Sequence, residues 1–256
     1  MPRQQEQLAL GPSFQPVDST ESNSSVKTVV VLQSNYLPWK GYFDLVHDAD
    51  LFIFYDDLQY TKNDWRNRNV IKTTKGTEWI TIPVGQNQNR LICEVSMSDH
   101  SWQNKHWTML QSQYKHAPHF NWCRAFFEDV YLNRTWSNLS ELNQFLIKRI
   151  SSELLGNTST AFADSREYTL EGKKQDRLLE LLVQAGTTRY VSGPAARDYI
   201  EAERFADAGI ELVWKDYSRY AEYLQLHPPF QHGVSIVDLL FNVGADAPRY
   251  IWGSAG

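Results

Sequence analysis

Cysteine is scarce in this chain: 256 residues contain two, Cys93 and Cys123. Neither has a Cys or His neighbour at metal-ligand spacing, so a disulfide framework and a zinc site are both excluded and a reducing cytoplasm is expected. No apolar run approaches the roughly 18 residues that a membrane-spanning helix requires. Excess positive charge is missing as well. A formal net charge of -5 argues against nucleic acid as the partner. There is no Gly-rich P-loop, no Gly-x-Ser-x-Gly elbow and no His-Glu-x-x-His helix, which removes P-loop kinases, α/β-hydrolases and zincins. Residues 1–25 lack the apolar segment of a signal peptide, and their Gln, Ser, Pro and Asn content reads as a disordered tail.

Aromatic residues, by contrast, are plentiful: nine Trp, thirteen Tyr and twelve Phe. They fit either a ring-rich core or a surface on which sugars or bases stack. Apolar residues make up 42% of the chain and charged ones 21%, the composition of a globular domain.

The periodicity predicts an α/β domain over residues 26–250, with a helical insertion at about 100–155. Lys27–Leu32 and Leu51–Tyr55 read as buried strands flanking a short helix at Tyr42–Asp48. Such a strand–helix–strand unit implies parallel pairing and a Rossmann-like start. Glu78–Val84 alternates as a strand does, with Gly76 in the preceding turn. Helices are expected over Ser101–Lys115, Trp122–Tyr131, Leu139–Leu154 and Gln175–Ala185. The remaining elements are strands at Thr158–Ala163, Arg189–Gly193 and Ile210–Trp214, a helix over Ala195–Ala208 opened by Pro194, and a helix over Val234–Asn242 with Ser235 or Gly233 near its start.

The densest chemistry lies in Asp56–Lys72, DDLQYTKNDWRNRNVIK, just past the second strand. Open α/β sheets bind ligands at the carboxyl ends of their strands. Asp56 and Asp57 could hold Mg²⁺, act as general base or bind hydroxyls, or else cap a turn and pair with an arginine. Lys62, Arg66, Arg68 and Lys72 suit an anionic substrate. The interleaved Trp65, Asn67 and Asn69 fit neither an amphipathic helix nor a strand, so a loop is expected here. Gln59 and Tyr60 complete this side of the candidate site.

Gln33–Asp44, QSNYLPWKGYFD, marks the first strand-to-helix turn, where phosphates are cradled in such folds. Gln33, Asn35, Tyr36, Trp39 and Tyr42 are candidate binding residues, and Gly41 would let a ligand approach the backbone. The alternative is a tight turn packed by Trp39 and Tyr42. From the later half, Ser192, Gly193, Asp198, Tyr199, Ser235 and Asp238 are candidate contacts. His227, in a Pro-flanked loop, is a candidate base.

These segments together resemble the WbqC-like family: NYLPWKGYFD (Asn35–Asp44), Ala49–Lys72, WITIPV (Trp79–Val84), YVSGPAARDYI (Tyr190–Ile200), GIELVWKDY (Gly209–Tyr217) and SIVDLLFNVG (Ser235–Gly244). Ser34 departs from the proline expected there. The resemblance implies surface-polysaccharide or O-antigen biosynthesis and a nucleotide-sugar context. The start is also similar to nucleotidyltransferases with a His-x-Gly-His signature, although Trp39-Lys40-Gly41-Tyr42 lacks both histidines. The resulting expectation is a cytoplasmic transferase acting on an anionic small molecule, with no dedicated metal site but with Mg²⁺ a possible cofactor. The competing classes are a non-catalytic binding or assembly protein and a nucleotidyltransferase.

Overall fold

The computed structural model describes residues 25–253. The residues expected to form a tail lie outside this range, except Ser25.

Five strands form one parallel sheet: β1 (Thr28–Leu32), β2 (Leu51–Phe54), β5 (Ala161–Asp164), β6 (Arg189–Ser192) and β7 (Glu211–Trp214). Their order is β5-β2-β1-β6-β7, with every neighbouring pair parallel. Central β1 explains why its sequence is a continuous apolar run: both of its faces are covered. Val30 joins a large core with Phe43, Phe52, Phe127 and Phe241, while Val29 and Val31 point to the opposite face with Ile53, Leu181 and Phe205. Each such side chain contributes about 1.5–3 kcal/mol when fully buried. The fold is Rossmann-like α/β.

Helix α1 (Lys40–Asp48) joins β1 to β2. Helices α2 (Ser101–Tyr114), α3 (Phe120–Leu132) and α4 (Leu139–Arg149) fall where the periodicity places them, and α4 runs on as a π-helical turn over Ile150–Leu154. Helices α5 (Gln175–Gln184), α6 (Ala202–Asp207) and α7 (Ile236–Val243) follow.

Two expectations are corrected. The second half of WRNRN is not loop: Arg68–Thr73 forms β3, paired antiparallel with β4 (Gly76–Thr81) in a separate hairpin. Asn69 is buried within this strand because its amide serves backbone carbonyls, which an apolar/polar alternation cannot reveal. The helix expected at 195–208 is broken into a 3-10 turn, Pro194–Ala196, and the short α6. At Glu201 a side chain replaces the helical partners: the backbone N–H donates to Gln175 Oε1, and the carbonyl accepts from Gln175 Nε2, both at 3.0 Å.

Candidate functional site

Chain reversal around β1 leaves a crevice between the carboxyl ends of β1 and β6, the place where open α/β sheets bind ligands. Its volume is about 840 Å³, within the range of small-molecule sites. Four residues singled out from the sequence line it: Gln33, Ser192, Gly193 and Tyr199. Its opposite wall is the start of α5, with Lys173, Lys174 and Gln175.

That wall is shaped for an anion. Lys174 sits at the helix N-cap with φ +51° and supplies no side-chain cap. Within the first turn the Asp176 N–H donates to the Lys173 carbonyl at 3.1 Å, so what the helix start offers a ligand is mainly the positive end of its dipole. Glu180 folds the preceding loop onto the helix by accepting from the N–H groups of Glu171 and Gly172, both at 2.9 Å. Only glycine fits at 172, because a Cβ would lie 2.8 Å from the Arg177 nitrogen. The exposed lysine side chains add charge at the mouth. Asp176 is ion-paired with Arg204. The neighbouring Glu201 carboxylate has no hydrogen bond or ion pair among the described residues.

Asp57 holds this wall in place. Its carboxylate pairs with Arg177 of α5 and accepts from Ser165 Oγ at 2.5 Å, while the Arg177 guanidinium lies over the Tyr55 ring at 5.3 Å. Asp56 is fully buried and points inward. It accepts from the Ser34 N–H at 2.7 Å, from Ser140 Oγ, and from Gln144 Nε2 at 3.2 Å. Ser34 therefore supplies an N–H that the expected proline could not. With five donors already on these two carboxylates, the pair does not fit a Mg²⁺ ion. Among the described residues no group of three or more His, Cys, Asp or Glu is placed to hold a metal.

A second cavity, of about 280 Å³, is lined by Asn35, Pro38, Trp39, Trp65, Asn69 and Gly233. Here the first turn and the polar segment after β2 meet. Arg66 bridges the two cavities, donating to Gln33 Oε1 and Asn35 Oδ1.

Most other candidates build the scaffold. Tyr36 is buried, with its hydroxyl between His106 Nδ1, at 2.8 Å, and the Tyr131 hydroxyl. Tyr42 donates to the Gln33 carbonyl at 3.0 Å, and burial raises its pKa well above the usual phenol value. Gly41 accommodates protein rather than ligand: a Cβ there would fall 2.3 Å from the Trp39 indole. Beside it, burial lowers the Lys40 pKa to about 8, partly offset by Glu222, and its ammonium lies among Tyr220, Tyr223 and Phe230. Tyr60 donates to Asn67, whose amide donates to the Ile82 carbonyl at 2.8 Å. Asn69 donates to the carbonyls of Tyr36 and Leu37. Lys72 reaches the Pro229 carbonyl at 2.6 Å. Ser235 caps α7 and donates to the Leu37 carbonyl.

Asp238 is buried and accepts from Tyr114, Tyr223 and Gln225; burial raises its pKa. His227 does not reach the crevice wall. Its Nε2–H donates to the Gln113 carbonyl at 2.8 Å, tying its loop to α2. Arg68 donates to the Asn63 carbonyl and stacks on Trp79 at 4.0 Å. Gln59, Lys62 and Asp198 are exposed outside both cavities. Sequence reasoning missed Lys173, Lys174, Gln175, Arg177 and Glu201. The doublet Lys173-Lys174 after Gly172, opening an amphipathic helix, was the available signal.

The parallel sheet and the crevice at its point of reversal define a Rossmann-like α/β protein with a ligand cleft. The chain belongs to the WbqC-like protein family, which matches residues 33–250. It is 46% identical over 229 residues to the uncharacterized protein Rv1507c of Mycobacterium tuberculosis, covering 88% of this chain and 98% of that protein. No solved structure matches the chain. Among the described residues no helix is long and apolar enough to cross a membrane.

Proposed function

We propose that this protein is a cytoplasmic transferase of surface-polysaccharide or related glycan biosynthesis, binding a nucleotide-linked sugar or similar activated anion in the crevice. The observation that carries the reading is the uncapped start of α5, with Lys173 and Lys174, facing Gln33 and Ser192 across a space of about 840 Å³. The helix dipole and the two lysines neutralise phosphate oxygens, while Ser192 and Gln33 orient the remainder of the ligand. Asp57 is a positioning residue: through Arg177 it sets where the helix start lies. Glu201 is the lining carboxylate available to take a proton from an acceptor hydroxyl.

A non-catalytic binding protein of the same pathway is the second reading. It is favoured by one observation: Asp56, Asp57 and His227 are all occupied by intramolecular bonds. Thermal unfolding with a panel of nucleotide-sugars, nucleotides and acyl donors tests both readings. A ligand at a hundredfold excess over its Kd stabilises the fold by about 2.7 kcal/mol. A nucleotide-sugar that does so, and is turned over by the wild type but not by Glu201→Gln, supports the transferase. Binding without turnover supports the second reading. Silence across the panel overturns both.

A further inference from the structure

We infer that the smaller cavity is a binding subsite for the ring of an uncharged pyranose. None of its lining residues is ionisable: it is built from Trp39, Trp65, Pro38, Asn35, Asn69 and Gly233. The crevice beside it, by contrast, carries lysines, an arginine and acids. A cavity with an uncharged lining beside one with a charged lining selects different chemistry. A charged ligand placed in the smaller one would leave water without a counter-charge in the lining, and the nearby Arg66 is already committed to Gln33 and Asn35.

The walls are aromatic and held from behind. Trp39 is backed edge-on by Tyr217 at 5.0 Å and Tyr220 at 5.9 Å. Trp65 leans on Trp79 at 5.4 Å, and its carbonyl accepts the Tyr36 N–H at 3.0 Å. Both Trp65 and Trp79 nevertheless remain substantially exposed, at 44% and 47%. Trp65, which lines the cavity, is the indole that can offer a face to an apolar C–H surface while its edge stays wet; Trp79 backs it.

The polar complement is sparse and neutral. Asn69 is spent on its own backbone contacts: its amide nitrogen serves Tyr36 and Leu37, and its oxygen accepts the Val70 N–H. Asn35 gives its oxygen to Arg66, and its amide N–H groups have no partner among the described residues, so they serve as donors for a hydroxyl. A volume of about 280 Å³ suits one ring rather than a nucleoside with its phosphates. Ring face on indole and hydroxyl on amide is the way a sugar is held. The subsite stands on this geometry; that its occupant is the acceptor of the group held in the crevice rests on the transferase reading.

The test is quenching of tryptophan fluorescence by neutral methyl glycosides, with folding of each variant checked by circular dichroism. Saturable quenching in the wild type is expected, lost by at least tenfold in affinity in Trp65→Ala and unchanged in Trp122→Ala, an exposed tryptophan on α3. Absence of quenching in the wild type, or quenching that survives Trp65→Ala, overturns the inference. Displacement of the glycosides by free nucleosides at lower concentration also overturns it, in favour of a base-stacking pocket. Nucleotide-sugar binding is measured in parallel. Its failure, with glycoside quenching intact, removes the transferase reading and leaves the subsite standing.

Discussion

Arg66 holds Asn35: one guanidinium N–H donates to Asn35 Oδ1 while another reaches Gln33 Oε1. Gln33 lines the crevice and Asn35 the smaller cavity, so one planar fork fixes the strip of backbone that separates them. A lysine has a single ammonium and cannot reproduce two parallel bonds. Arg66→Lys is expected to lose about 1–3 kcal/mol of stability and to weaken ligand binding in both cavities. Urea unfolding and ligand titration of the same preparation check the two parts. Unchanged affinity in both cavities would show that the fork is only structural.

Lys173 and Lys174 should behave differently, because their side chains are exposed. The double substitution to alanine is expected to leave the unfolding midpoint nearly unchanged. It should weaken binding of an anionic ligand by at least tenfold. The loss should shrink as salt rises, since exposed charges are screened. Titration at two ionic strengths reads this out, and a salt-independent loss would contradict a charge-based role.

The centre of the sheet was legible because its strands are buried on both faces and therefore read as apolar runs: Val29–Leu32 and Leu51–Phe54 needed no context. Much of the site was not legible. Asp56 and Asp57 are adjacent in sequence, yet one is sealed inside on Ser34 and Ser140 and the other turns to Arg177, 120 residues away. No local pattern announces such a partner. Asn67 and Asn69 look like ligand contacts because amides are rare inside, but here they satisfy hairpin and turn carbonyls. Lys173 and Lys174 were passed over for the opposite reason: a basic pair on the surface is commonplace until a fold puts it at a crevice.

The Asp57–Arg177 pair offers a sharper test of positioning. Both side chains are mostly buried, at 13% and 20% exposure, so removing one partner strands the other's charge. Arg177→Gln or Asp57→Asn alone should each cost about 1–3 kcal/mol, the range for leaving a hydrogen-bonding partner unsatisfied. The double variant should cost clearly less than the sum. If Asp57 acts through the helix start, both single variants weaken anionic ligand binding alike. A proton-transfer role would instead make Asp57→Asn lose turnover while keeping affinity.

His106 gives the fold a pH dependence. Its Nε2–H donates to the Thr81 carbonyl at 3.1 Å, which leaves Nδ1 to accept from the Tyr36 hydroxyl. Burial lowers its pKa from 6.5 to about 4. Between those values the unfolded chain takes up a proton that the folded one refuses, so stability falls as pH drops through that window. The loss is up to about 3 kcal/mol, complete near pH 4. His106→Gln should be less stable at pH 7, and its deficit should narrow as the pH is lowered. Urea midpoints for both proteins from pH 7 to 4 measure the gap. A constant gap would mean that the imidazole titrates alike in both states.

Gly41→Ala decides between two readings of the first turn. The sequence pattern offers Gly41 as a place for close approach by a ligand, whereas the packing gives that space to Trp39. A methyl group at 41 would lie 2.3 Å from the indole, and Tyr217 and Tyr220 behind the ring limit its retreat. Overpacking of this kind costs about 1–3 kcal/mol. The expected outcome is a lowered unfolding midpoint with nucleotide-sugar affinity in the crevice retained, because Gly41 lines neither cavity. Glycoside quenching should weaken, because a displaced Trp39 deforms one wall of the smaller cavity. An unchanged midpoint together with abolished crevice binding would restore the ligand to Gly41 and remove Trp39 as the reason for the glycine.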